Sequence, residues 1–395
     1  MKVLIINHFP LVGSGSGTYT RNIAVHLMKK GHEVSIVFPE NTTNFSDISG
    51  AALYPVYFTY EEDIEGALPF NFPCFTTHPR SVMTFFDLDG DQLEMYLNAF
   101  RDIIKRAVAE FRPDVIHGQH IWLLSWLAIE TGLPYILTAH GTDLMGYQKS
   151  DRFKEQAEDV AAGAKRMITI SNDNDKLVRE IFPNAIEKTV FMRNGYDPEC
   201  FFPEKLTRKE VLAAYGLAPL KYFVLFAGKL AHFKGIDVLL EAAGIYEETH
   251  KGEILTLIAG EGELMAPLKE RAEKLRLENL HFLGFVNVPQ LRALYSTADV
   301  SVVPSRREPF GLVAIEALAC GAPVVATNQG GLPDIIDDKV GALVDVEDAA
   351  GLAKAIIAEM LRPDRPQRGE YAARYAYETY AQDSLMDQLI GILSN

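Results

Sequence analysis

Along the chain, short aliphatic runs alternate with longer stretches in which apolar residues recur every three or four positions. VLIIN at 3–7, TRNIAVHLMKKGH at 20–32 and EVSIVF at 33–38 predict strand, helix and strand, with Gly31 stopping the helix just after Lys29 and Lys30. DVIHG, PYILTAH and RMITIS predict further strands separated by helices, so the first half reads as a parallel sheet covered on both faces. Residues 41–91 carry prolines, aromatics and acids without a clear period and read as long loops near a ligand crevice. The rhythm restarts at YFVLFAGKL (222–230), after the turn-rich segment RNGYDPECFFPEK. IDVLLEAAGIYEE, ILTLIAG, PLKERAEKLRL, LHFLGF, PQLRALYSTA and DVSVVPS then alternate as helix and strand, which predicts a second doubly wound unit. The closing stretch from 370 to 395 is helical by its period.

The expected class is therefore α/β, with two Rossmann-like domains over 1–196 and 197–377 and a terminal helix, from about residue 378 to 395, packing back on the first. A length of 395 residues suits two separate cores, and the crevice between two such domains is an expected ligand site. A formal net charge of −15 argues against nucleic acid, and against stable association with an anionic membrane, as main partner. Cys74, Cys200 and Cys320 form no CxxC pair, which fits a reducing cytoplasm and no cysteine metal site. The N-terminal apolar run is too brief for a signal peptide, and the richest later run, IWLLSWLAIE, is interrupted by Glu130, so no transmembrane segment is expected.

The candidate chemistry lies at predicted strand ends. Glu308 and Glu316 stand eight residues apart around a helical run, about 12 Å if the whole span were helical. With Glu308 and Pro309 in the first helical turn, the amides of Phe310, Gly311 and Leu312 suit a phosphate. The alternative is a solvated loop acid and a buried, paired one. Lys229 and Lys234 follow another strand and can neutralise a diphosphate or stand exposed. Gly260-Glu261-Gly262 and Gly330-Gly331 end further strands, where doubly wound sheets bind ligands. His140 in TAHGTD is a site residue or a capping or core histidine.

In order, FAGKLAHFKG, IAGEGE, FLGFV, LYSTADVSVVPS, EPFGLVAIEALACGAPVVAT and GGLPDII closely resemble the C-terminal domain of glycosyltransferase family 4, the retaining enzymes of GT-B fold. The likeness covers most of 190–360, and the first half agrees more loosely through its glycine loop, TAHGTD and TISN. It implies a nucleoside-diphosphate sugar donor, UDP before GDP or ADP, a small-molecule or glycan acceptor, no essential metal and no cofactor. Carried over, Glu308 and His140 face the donor sugar, Glu316 the ribose, and Lys229 with Lys234 the diphosphate. Phe310 to Val313 serve sugar and phosphate through their amides, while Gly260, Glu261, Gly262, Phe285 and Val286 lie beside the base. Lys229 departs from the family's usual arginine, and Glu261-Gly262-Glu263 from its usual glycine-proline. Two other activities fit: a sugar-nucleotide epimerase or hydrolase of the same fold, and a non-catalytic nucleotide-sugar-binding partner.

Two lures are set aside. GSGSG at 13–17, with Glu40 after the second strand, imitates a dinucleotide loop but lacks the third glycine; the resemblance makes Gly15 and Gly17 neighbours of the donor phosphate and acceptor. Asp87-x-Asp89-x-Asp91 imitates a calcium loop or a metal-binding DxD, but Gln92 and Asn98 replace the glycine and glutamate a calcium loop needs, leaving a solvated acidic turn. Trp122 and Trp126, one helical turn apart, are expected to pack rather than stack on sugar.

Overall fold

A computed structural model describes residues 1–45, 48–75, 78, 80–81 and 83–394. The chain divides into two compact units, one of residues Met1–Asn194 with Leu385–Asn395, the other of Gly195–Ser384. Among the described residues no helix is long and apolar enough to cross a membrane.

The first unit is built on β1 (Lys2–Ile6), β2 (Glu33–Glu40), β3 (Ala52–Tyr57), β4 (Val115–Gln119), β5 (Tyr135–Thr138), β6 (Arg166–Thr169) and β7 (Thr189–Phe191). They form one sheet in the order β3-β2-β1-β4-β5-β6-β7, with every pairing parallel. Alternation along β1 explains its unbroken apolar run. Val3 and Ile5 enter one core, with Tyr19, Ile23 and Leu27; Leu4 and Ile6 enter the core on the opposite face. The helix Gly15–Lys29 starts earlier than its apolar period suggests, because Ser14 caps it by accepting the Gly17 N–H at 3.0 Å.

The stretch 41–91 departs most from expectation. It contains β3, and its aromatics Phe58, Phe70, Phe72, Phe75 and Phe85 are core residues packed with Leu4, Ile6 and Trp122. Beyond β3 the stretch carries single bridges, such as Phe58 with Leu68 and Cys74 with Thr84, in place of a ladder, so no sequence period marks it. Trp122 is fully buried, as its packing role requires. Asp89 caps the helix Gly90–Phe111 in a capping box with Gln92, and Asp87 accepts from the Thr84 N–H and hydroxyl at 2.7 Å.

The second unit carries β8 (Tyr222–Ala227), β9 (Ile254–Ala259), β10 (Leu280–Gly284), β11 (Val300–Val303), β12 (Val324–Thr327) and β13 (Gly341–Val344), in the order β10-β9-β8-β11-β12-β13 and again all parallel. Strand order therefore reverses between β8 and β11. The closing helical period is broken at Ala381, which turns to extended backbone (φ −61°, ψ 131°) and bridges Tyr196. Beyond the break, Met386, Leu389, Ile392 and Leu393 of the helix Gln382–Ser394 join the core of the first unit beside Val3 and Tyr19.

Candidate functional site

In an open parallel sheet, ligands bind at the carboxyl ends of the strands where their order reverses. In the second unit that place lies between β8 and β11, and two of the sequence candidates meet there. Lys234, in a short turn after β8, puts its Nζ 2.6 Å from Glu308 Oε2, in the loop after β11. The side chains are only 17% and 9% exposed, and the Ser305 hydroxyl donates to the same carboxylate oxygen at 3.2 Å. An ammonium has three N–H donors, so the pair leaves Lys234 capacity for a phosphate oxygen. Lys229 Nζ lies 3.8 Å from a Glu263 carboxylate oxygen.

Glu308 does not open the following helix, which corrects the sequence expectation. The helix is Leu312–Ala319, and its N-cap is Gly311 at φ 115°, a left-handed conformation open to glycine. A Cβ on Gly311 would also stand 2.9 Å from Leu332. Glu308 is thus a buried loop residue, and the 12 Å spacing of a continuous helix does not apply. Among the described residues no side chain caps the start of this helix, which leaves the amides from Phe310 to Val313 near an uncapped N-terminus. The Phe310 ring itself is buried, 6.2 Å from that of Tyr380. Glu316 follows one turn along; burial pushes its carboxyl up to about 8, and among the described residues no cation pairs with it.

The glycines at the strand ends serve loop packing. A Cβ on Gly260 would lie 1.8 Å from the Gly228 carbonyl, on Gly262 2.4 Å from Leu230, on Gly235 2.0 Å from Pro304, and on Gly330 2.0 Å from Glu308. Backbone meets backbone at each contact, so the loops carrying Lys229, Lys234, Glu308 and Glu261 are wedged together. Glu261 is exposed, and its carboxylate lies 3.5 Å from where a Cβ on Gly284 would stand. Beside it Phe285 is 74% exposed and Val286 half-buried, leaving the phenyl face open to a flat partner.

Sequence reasoning missed Arg306. Its guanidinium donates to the His232 carbonyl at 2.7 Å and to both Asp237 oxygens at 2.8 and 2.7 Å, and pairs with Glu347; its backbone N–H and that of Arg307 donate to the Phe233 carbonyl. Arg306 therefore ties the Lys234 turn to the Glu308 loop. Nothing in the string SRREPFG distinguishes it from a solvated arginine.

In the first unit, His140 follows β5 and is buried, with Nε2 2.8 Å from the Gln119 side-chain oxygen at the end of β4. Burial pulls its imidazole down to about 3, so it is neutral near pH 7. Gly15 and Gly17 lie in the first helical turn rather than in a free loop, and a Cβ on Gly17 would come 2.3 Å from the Pro10 carbonyl. The Gly17 amide is already taken by Ser14. Gln119, silent in the sequence reading, is the residue that orients His140.

Comparison with known proteins agrees with this architecture. The family described as Glycosyl transferases group 1 matches residues 207–378, and Glycosyltransferase Family 4 matches 13–200. The D-inositol 3-phosphate glycosyltransferase of Saccharomonospora viridis is 33% identical over 77% of this chain and 76% of its own length. The glycogen synthase of Mycobacterium tuberculosis is 29% identical over 95% of this chain and 89% of its own. Among solved structures, sucrose-phosphate synthase from Thermosynechococcus elongatus superposes with a TM-score of 0.77 at 22% identity, covering 99% of this chain and 98% of that one. Anabaena HepE in complex with UDP and glucose gives 0.76 at 17% identity, over 100% of both chains. With two parallel-sheet α/β units of seven and six strands and matches to both family halves, this chain belongs to the group 1, family 4 glycosyltransferases of GT-B fold.

Proposed function

We propose that the protein moves a sugar from a nucleoside diphosphate to a hydroxyl acceptor, with retention at the anomeric carbon and without a metal ion. The observation that carries the reading is the Lys234–Glu308 pair across the β8/β11 reversal, beside the uncapped start of the helix Leu312–Ala319. Lys234, Lys229 and that helix start receive the diphosphate, Glu308 and His140 the donor sugar, Glu316 the ribose, and Phe285 the base. As the bond from the anomeric carbon to the phosphate oxygen breaks, charge grows on that oxygen, and preorganised cations favour the transition state over the ground state. The acceptor oxygen bonds to the same face of the carbon, and its proton passes to the departing diphosphate oxygen. No protein nucleophile is needed.

The neighbour crystallised with UDP and glucose makes UDP the nucleotide to test first. The names of the relatives span glycogen, inositol phosphate and sucrose phosphate chemistry, so they select the reaction class rather than one acceptor. The test incubates the protein with UDP-glucose, and in parallel GDP- and ADP-glucose, with and without a panel of hydroxyl acceptors, all in EDTA. Acceptor-dependent release of nucleoside diphosphate and an α-linked product by NMR are expected. An inverted product refutes retention, loss of activity in EDTA restored by manganese refutes metal independence, and release without acceptor identifies a hydrolase.

A further inference from the structure

The first sheet has its own reversal of strand order, between β1 and β4. His8 and Phe9 follow β1 there, and His120 follows β4. The His120 ring lies 5.3 Å from both His8 and Phe9, 5.2 Å from Phe75 and 4.7 Å from His140, centroid to centroid.

His120 is held in an uncommon conformation. Its φ is 80°, in the left-handed region that disfavours residues with a Cβ. The backbone is pinned there from both sides. Its N–H donates to the Thr138 carbonyl at 2.8 Å, and its carbonyl accepts from the Ser125 hydroxyl at 2.6 Å. A glycine would fill the turn without strain, so the sequence retains a side chain against the local backbone preference.

Its hydrogen bonds determine what that side chain offers. The Gln119 carbonyl accepts from two rings at once, His8 Nδ1 at 2.7 Å and His120 Nδ1 at 2.8 Å. A carbonyl cannot donate, so both imidazoles carry their proton on Nδ1. His8 Nε2 is then used up by the Leu124 N–H at 3.0 Å. His120 Nε2 is an unprotonated acceptor, the residue is 1% exposed, and among the described residues nothing donates to that nitrogen. Burial and the neighbouring histidines hold the ring well below the usual imidazole range, which keeps it neutral. The Gln119 amide nitrogen and the Trp122 indole N–H likewise lack partners among the described residues. A buried acceptor flanked in sequence by donors, at a strand-order reversal, is the hydrogen-bonding complement of a polyol.

We propose that His120 is a substrate-contacting residue, whose Nε2 accepts a hydrogen bond from a hydroxyl group of a sugar or polyol. The proposal rests on the glycosyl-transfer reading, and the hydroxyl belongs to either the donor sugar or the acceptor.

The full-length protein labelled with ¹⁵N-histidine tests it. The His120 Nε2 resonance is assigned by its loss in both His120→Phe, which keeps a ring of similar volume, and His120→Asn, which tolerates the left-handed backbone. It should begin in the position of an unprotonated nitrogen. Titration with UDP alone should leave it in place. Upfield movement with UDP-glucose assigns the hydroxyl to the donor; movement with D-glucose, maltose or myo-inositol assigns it to the acceptor. In His120→Phe the affinity for the probe that moves the resonance should fall about 10-fold, the effect of one buried hydrogen bond, with UDP affinity unchanged. A protonated Nε2, or a resonance that no hydroxyl probe moves while UDP binds normally, overturns the proposal. If neither UDP nor UDP-glucose binds and a polyol still moves the resonance, His120 keeps its role and the nucleotide-sugar reading fails instead.

Discussion

Lys234 and Glu308 are salt-bridged across the point where the second sheet reverses its strand order, with Nζ 2.6 Å from Oε2. Each is therefore the other's nearest charge compensation as well as a proposed contact of the donor, and the two roles separate in experiment. Lys234→Ala leaves the little-exposed Glu308 carboxylate, among the described residues, with the Ser305 hydroxyl alone, which should destabilise the second unit by about 1 to 3 kcal/mol. It also removes a preorganised cation from the leaving group, so turnover should drop roughly 100- to 1,000-fold while donor affinity falls much less. Urea unfolding and single-turnover kinetics measure the two. Near-normal turnover in a destabilised variant would reduce Lys234 to a structural partner of Glu308.

Gly235 tests whether wedging of the loops matters. Its φ is 66° and an added Cβ would meet the Pro304 carbonyl at 2.0 Å, one residue from Lys234. Gly235→Ala has to push the two loops apart. A loss of at least about 1 kcal/mol is expected, or a melting temperature lower by about 3 °C, together with reduced turnover. An unchanged melting curve would show that the loops yield freely.

Glu316 gives a pH signature. Its carboxyl is held up at about 8 in the folded chain, whereas the unfolded chain ionises near 4.5. The stabilisation this represents is complete below 4.5 and fades as pH rises toward 8. Glu316→Gln does not titrate, so its melting temperature should gain on the wild type steadily across that window. If the ribose hydroxyls donate to the carboxylate, UDP binding near pH 7 must release a proton. Calorimetry in buffers of different ionisation heat should detect that release and its absence in the variant, whose UDP affinity should be about ten-fold weaker or more. Unchanged UDP binding in Glu316→Gln removes the residue from the site.

The buried histidines of the first unit act in the opposite sense. His8, His117 and His140 are pulled down to about 3, and His120 is also strongly lowered. Their contribution is present above about 6.5 and is lost as pH falls toward 3, because the unfolded chain takes up protons the folded unit refuses. The chain has two tryptophans, Trp122 and Trp126, both in the first unit, so their fluorescence reports that unit alone. Between pH 7 and 5 the urea midpoint by fluorescence should fall, while the part of the circular-dichroism transition belonging to the second unit should move less. Coincident shifts of the two signals would contradict this.

What the sequence made legible follows from where the information is local. Strands buried on both faces, such as VLIIN and YFVLFA, show unbroken apolar runs, and the helices between them repeat at 3.6 residues, so both sheets could be placed. Lys234 and Glu308 were separately visible at strand ends. Their pairing was not, since it joins residues 74 apart and depends on which strands are neighbours. Glycines at 260, 262 and 330 were read as room for a ligand, and the structure shows them making room for other loops. The aromatics of 41–91 were missed as core because, beyond β3, they lie outside regular strands and helices and so follow no sequence period. His120 left no signal, as neither a left-handed backbone nor a shared carbonyl can be read from a string of letters.

The helix Gln382–Ser394 lends Met386, Leu389, Ile392 and Leu393 to a core whose other buried members run from Val3 to Met192. On the ribosome, β1 and its covering helix emerge long before these residues exist. About 190 residues, Gly195–Ser384, must be translated in between, which at about 5 to 20 residues per second takes roughly 10 to 40 s. Throughout that interval Val3, Tyr19 and Ile23 lack part of their cover, and the second unit can complete its own fold first. The half that begins synthesis is the half that finishes last, and a stop codon just before residue 385 should harm the first unit more than the unit it adjoins in sequence.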